Sequence, residues 1–200
     1  MTLREWLYFH NVMHRHYTHY RGRKMLKPPF DWVVLGDIID ETSPELVIEI
    51  GSYEGATTLW IADHLDAIGS DAQVIGIDIT QPPAVTHPRI SWVTGDCLDE
   101  AVLAQVVDLA GERRGLVIED SDHKLHITKR ILELYYRFVA PGNYLIVEDT
   151  ITEFLQLPPF PGPLEAVHDF VAVHPEFAID RTREKYILTY NPMGYLLRCR

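Results

Sequence analysis

The chain has 200 residues, enough for one domain with a single sizeable core, and its 46% hydrophobic content is that of an ordinary soluble protein. A formal net charge of −11 argues against the basic stripe of a nucleic-acid surface and against a polybasic membrane patch. Two cysteines, Cys97 and Cys199, form neither a CxxC pair nor a disulfide framework, the N-terminus has no apolar h-region, and nothing approaches the ~18 apolar residues of a bilayer span, so a cytoplasmic setting is expected.

Residues 1 to 29 open with the histidine-rich, aromatic run "FHNVMHRHYTHY", read as a helical segment that covers a pocket or meets another subunit of a homo-oligomer. His10 and His14 stand four apart, but no acid or cysteine nearby completes a zinc set. A helix over Phe30 to Glu41 leads into the apolar run "ELVIEIGS" (45 to 52), then a helix over Gly55 to Ile68 and the run "QVIGIDI" (73 to 79). A weaker strand "ISWVTGD" (90 to 96) precedes a helix over Asp99 to Ala110, the run "GLVIEDSD" (115 to 122) and a helix over His126 to Val139. Punctuated by "APGNY", the chain enters "NYLIVEDT" (143 to 150). Continuous rather than alternating apolarity marks strands covered on both faces, as in a parallel sheet.

After residue 150 the stretch "LQLPPFPGP" holds four prolines in nine residues and forms a loop of restricted shape. It either shapes a pocket or serves as a rigid connection. A helix over Leu164 to Val173 follows, and "FAIDR" with "KYILTY" read as an antiparallel hairpin. The expected fold class is α/β: one domain over residues 1 to 200, a doubly wound Rossmann-like sheet of about seven strands closed by that C-terminal hairpin.

The chemistry collects at the strand ends. "EIGSYEG" places Glu49, Gly51, Ser52, Tyr53 and Gly55 in a turn leading into a helix, where glycine lets the backbone approach a ligand and the helix start offers N–H groups. Such a turn is also common as a purely structural strand-to-helix connection. The second strand ends in Asp78, where a carboxylate can accept both hydroxyls of a ribose, and the third ends in Asp96, placed to accept from an adenine amino group. Glu49 occupies the first glycine position of the dinucleotide GxGxxG pattern, so a pyrophosphate would meet a carboxylate. S-adenosylmethionine, cationic and without phosphate, suits the acid-lined turn better.

The next two strands end in "EDSDH" and in the adjacent pair Glu148 and Asp149. Carboxylates gathered at neighbouring strand tips repel one another or take up protons unless a cation sits among them. Asp122, Glu148 and Asp149 are the expected ligands of Mg²⁺, which favours a few carboxylate oxygens plus waters and substrate oxygens. Glu119 and Asp120 are expected as supporting residues, Asp120 alternatively as a cofactor contact. The plainer alternative is that each acid caps a turn and faces solvent.

In this order, "EIGSYEG", "GIDI", "HPRI", "DSDH", "PGNYLIVEDT", "GPLEAVHDF" and "NPMGYLLR" resemble the cephalosporin hydroxylase and rhamnosyl O-methyltransferase family over roughly residues 20 to 198. The resemblance implies a class I methyltransferase fold, S-adenosylmethionine, a divalent metal on Asp122, Glu148 and Asp149, and methyl transfer to a hydroxyl of a small natural-product or sugar-bearing acceptor. "DHKLH" is also similar to the Asp-His-x-Lys run of catechol O-methyltransferases, whose lysine is the base. Leu125 stands at that place here, leaving His123, Lys124 and His126 as rivals, with His123 preferred because it adjoins Asp122 and titrates near neutrality. Three other readings stand beside this one: a non-haem iron hydroxylase, a nicotinamide oxidoreductase, and a cofactor-binding protein without turnover.

Overall fold

The computed structural model describes residues 2, 5, 18–80, 85–156, 161–186 and 188–200. His10, His14 and residues 157–160 of the proline run lie outside the described residues. Within the N-terminal segment Glu5 is helical, and β1 (Thr18–Tyr20) and β2 (Arg23–Met25) pair antiparallel. Arg21 and Gly22 between them both take positive φ, the conformation of the two-residue hairpin turn that matches strand twist.

Helix α1 (Pro29–Thr42) starts on a proline, whose missing N–H costs nothing in the first turn, and stops where Ser43 turns left-handed. There follow β3 (Leu46–Ile50), α2 (Ala56–Ala67), β4 (Gln73–Asp78), β5 (Ile90–Thr94), α3 (Glu100–Ala110), β6 (Gly115–Glu119), α4 (Leu125–Tyr135), β7 (Tyr144–Val147), α5 (Ile151–Leu155), α6 (Pro163–Val173), β8 (Phe177–Ile179) and β9 (Tyr195–Arg198). The seven-stranded sheet runs β5-β4-β3-β6-β7-β9-β8, parallel through β7 and antiparallel at β9 and β8. The chain winds outward from β3 to β5, then returns to place β6 on the other side of β3. A crevice therefore opens at the carboxyl ends of β3 and β6, where ligands of such sheets bind.

Alternate residues of each strand enter two different cores. Leu46, Ile48 and Ile50 join Val106, Ile131 and Phe170 from α3, α4 and α6, whereas Val47 joins Ile38, Ile61 and Leu65 from α1 and α2. With both faces covered, the strands need no polar positions, which explains the unbroken apolar runs. Burying each Leu or Ile side chain contributes roughly 1.5–3 kcal/mol. Glu49 shares the parity of Val47, so an acid is driven into the α1/α2 layer.

The sheet does end in an antiparallel pair, but the partner of β8 is β9 and not residues 185 to 190. Thr189 and Tyr190 meet α1 instead, where Asp31 accepts from the Tyr190 N–H (3.0 Å) and the Thr189 hydroxyl (2.7 Å). Side-chain bonds there replace the strand ladder.

Candidate active site

A cavity of about 650 Å³ occupies the crevice, within the range that takes a small molecule. Its walls are the turn Gly51–Tyr53, Asp78 and Thr80 after β4, Asp96 and Cys97 after β5, Asp120 to His123 after β6, and Asp149 after β7. Lys24, Met25 and Leu26 of the β1–β2 hairpin cover one side, and the hairpin is tied to α2 by the Tyr20 hydroxyl donating to Asp63 (2.7 Å).

The turn after β3 has little to offer a phosphate. The Gly51 and Ser52 N–H groups both donate to the Ile77 carbonyl (2.8 and 3.1 Å), Tyr53 N–H donates to Asp78 Oδ2 (2.8 Å), and Gly55 N–H donates to the Ser52 carbonyl (2.7 Å). Four amides that could cradle an anion are thus occupied from within. Gly51 has φ of 90°, and a Cβ there would stand 1.9 Å from the Asp120 carbonyl oxygen, so the glycine is what lets β3 and β6 close up under the site. Gly51→Ala is expected to lose at least ~1–3 kcal/mol from backbone conformation alone. It should also weaken ligand binding, and a variant with unchanged thermal melting would refute this reading.

Asp78 lines the cavity, its Oδ1 also accepting from Thr80 N–H (2.9 Å), and Asp96 lines it while accepting from Leu98 N–H (2.9 Å). Glu49 does not reach the cavity. It is buried behind the turn, bonded by the Thr58 hydroxyl, and burial pushes its carboxyl up to about 7 despite the nearby Lys27. Folding therefore binds a proton that the unfolded chain has released between about pH 4.5 and 7, and the stability Glu49 contributes is lost as pH rises through that window. Urea denaturation at pH 5 and pH 8 should show wild type losing stability relative to Glu49→Gln. A difference independent of pH would mean that Glu49 is charged throughout.

Three side chains converge on the rim facing β6 and β7. Donor atoms of Asp120, His123 and Asp149 all lie within 4.8 Å of one another. His123 Nε2 is 3.3 Å from Asp120 Oδ1 and 3.5 Å from Asp149 Oδ2. His123 (φ 57°) and Asp149 (φ 56°) both sit in the left-handed region that L side chains seldom occupy, a strain characteristic of functional sites. Burial alone would lower the His123 pKa, but the bond to Asp120 and the charge of Asp149 outweigh it and push the ring up to about 10. Asp149 is pushed up to about 6 by burial, against the pull of His123.

Of the expected metal set, only Asp149 falls in this cluster. Asp122 lines the same cavity but turns toward Lys124 Nζ (2.6 Å), with 47% of its side chain exposed. Glu148 is buried beneath Asp149 and bonded to Lys27, and it also meets Asp120. Lys124 is the partner of Asp122, and His126 is absent from the cavity wall, so His123 is the rival base that the structure brings to the acids.

Lys27 is the functional-site residue that the sequence conceals. Its side chain is 2% exposed, with Nζ on Glu148 and 3.5 Å from Asp120 Oδ2. Burial opposes its charge, but Glu148, Asp120 and Glu49 together keep the ammonium protonated. The paired acids at the end of β7 thus do have a cation beside them, delivered from the segment just before α1.

The family described as Rhamnosyl O-methyltransferase/CmcI matches residues 12–199. The chain belongs to this family. The Rhamnosyl O-methyltransferase of Mycobacterium tuberculosis is 31% identical over 191 residues, spanning 90% of this chain and 78% of that protein. Its Mycobacterium leprae counterpart is 32% identical over 190 residues, spanning 90% and 83%. Among solved structures, one described as "cmcI-D160 Mg-SAM" superposes with a TM-score of 0.69 at 26% identity, covering 90% of this chain and 76% of that one. The protein is an S-adenosylmethionine-dependent O-methyltransferase, and the family expected from "EIGSYEG", "DSDH" and "PGNYLIVEDT" holds.

Proposed function

We propose that this O-methyltransferase carries the methyl group of S-adenosylmethionine, seated between the Gly51–Tyr53 turn, Asp78 and Asp96, to a hydroxyl of a small sugar-bearing acceptor beside Asp120 and Asp149. The convergence of Asp120, His123 and Asp149 at the edge of the cavity carries this reading. Two carboxylates, backed by Glu148, suit a hard ion such as Mg²⁺, with room for waters and substrate oxygens. A non-haem iron oxygenase needs two histidines and one carboxylate, the reverse of this set. The Gly51, Ser52, Tyr53 and Gly55 amides, already bonded within the protein, suit a cofactor without phosphate better than a pyrophosphate. The acceptor class follows the mycobacterial relatives, whose names specify a rhamnosyl group.

Bound at Asp120 and Asp149, Mg²⁺ would supply a Lewis acid that lowers the pKa of the acceptor hydroxyl. With those two carboxylates engaged, His123 would lose the charges that hold its own proton and would be competent to take one from the hydroxyl. S-adenosylmethionine would supply a methyl group on a sulfonium that departs as a neutral thioether when the acceptor oxygen takes the methyl, and His123 would hold the proton from the hydroxyl. Alignment of oxygen, carbon and sulfur by the cavity walls supplies much of the acceleration.

The test is transfer from trideuteromethyl-labelled S-adenosylmethionine to rhamnosyl glycosides, read by mass spectrometry. Label is expected on a sugar hydroxyl, and chelation with EDTA should lower turnover by about 10²-fold or more, reversed by Mg²⁺. Equal turnover in EDTA would remove the cation from the reaction, and failure with every glycoside offered would remove the sugar-bearing acceptor.

A further inference from the structure

Asp149 lines the cavity with its backbone held left-handed, at φ 56°. An L side chain does not stay there without help from its surroundings. The help comes from a distant part of the chain. Asn191, 2% exposed, accepts the Asp149 N–H on its Oδ1 at 3.0 Å. The flanking bonds come from the same segment: Ile151 N–H donates to the Tyr190 carbonyl (3.0 Å), and the Thr150 hydroxyl donates to the Pro192 carbonyl (2.7 Å).

That segment is itself pinned to α1. Asn191 N–H donates to Thr189 Oγ1 (3.0 Å), whose hydroxyl donates to Asp31 Oδ1 (2.7 Å), while Tyr190 N–H donates to Asp31 Oδ2 (3.0 Å). The Tyr195 hydroxyl, which takes a bond from Asn191, also donates to Asp31 (3.3 Å). A continuous hydrogen-bonded path thus runs from buried Asp31 through Thr189 and Asn191 to the amide of Asp149.

We propose that Asn191, anchored by Asp31, is the positioning residue that aims the Asp149 carboxylate at Asp120 and His123, and thereby sets the divalent-cation affinity of the site. The inference rests on the reading that Asp149 holds a cation. Partners of a ligating carboxylate typically govern metal affinity by about 10–100-fold.

The experiment is Mn²⁺ titration of the full chain by electron paramagnetic resonance, with S-adenosylhomocysteine affinity measured in parallel in EDTA. Asn191→Ala, or Asn191→Leu where alanine fails to fold, is expected to weaken Mn²⁺ binding by about 10-fold or more while leaving S-adenosylhomocysteine affinity within about twofold. Asn191→Asp, which keeps an oxygen in reach of the Asp149 N–H, should bind Mn²⁺ at least as well as wild type. Wild-type affinity in the alanine or leucine variant would overturn the proposal, as would parallel loss of both ligands or equal weakening in Asn191→Asp. No Mn²⁺ binding by wild type would instead bring down the cation reading itself, and this inference with it.

Discussion

Replacing His123 with alanine is expected to lower the rate constant for methyl transfer by about 10²–10⁴-fold, the usual contribution of a positioned general base. Affinity for S-adenosylhomocysteine should stay nearly unchanged, because the His123 ring is engaged with Asp120 and Asp149. In cation-free protein the ring should titrate at about 10, well above the usual histidine value. Addition of Mg²⁺ should move that titration downward, since the two carboxylates that raise it become engaged elsewhere. Single-turnover kinetics of wild type and His123→Ala, with a proton NMR titration in EDTA and in Mg²⁺, check both statements. An alanine variant with normal turnover would remove the ring from the reaction.

Lys27→Met is expected to destabilise the protein by about 3–5 kcal/mol, because removal of one member of a buried ion pair strands the other. In a chain of this size that corresponds to a fall in melting temperature on the order of 10 °C. The stranded group is Glu148, 7% exposed, with Asp120 and Glu49 adding to the uncompensated charge. The double variant Lys27→Met, Glu148→Leu should recover much of the loss, since two apolar side chains can take the place of a buried pair at little cost. Denaturant unfolding of the two single variants and the double variant measures the coupling directly. Purely additive losses would show that Lys27 and Glu148 do not act as a pair.

The sheet was legible because its central strands β3, β4, β6 and β7 are buried on both faces, which leaves their sequences nearly free of polar interruptions. The segment "KYILTY" misleads because its apolar and aromatic content is that of a strand, yet Asp31 draws Thr189 and Tyr190 into side-chain bonds and leaves the edge to "YLLR". That partner lies more than 150 positions away, and no local pattern announces it.

At the site, sequence reading located the strand ends and chose Asp122, Glu148 and Asp149, of which only Asp149 meets Asp120 and His123. Asp120 and Asp122 differ in direction: the left-handed turn at His123 brings its ring to Asp120 and leaves Asp122 on the rim with Lys124. Glu49 reads as a cavity acid because it opens the glycine turn, whereas strand parity sends it to the opposite face. Lys27 carries no signal beyond the unanswered charge at Glu148 and Asp149. Only the passage of the chain from the β1–β2 hairpin into α1 brings it there.

The central claim is that Asp120 and Asp149 hold a divalent cation beside His123 and the methyl donor. Diffraction at the manganese absorption edge, from crystals grown with S-adenosylhomocysteine and Mn²⁺, measures it most directly. The account predicts one anomalous peak bonded to the carboxylates of Asp120 and Asp149. A peak on Asp122 instead, or none among these side chains, would contradict it.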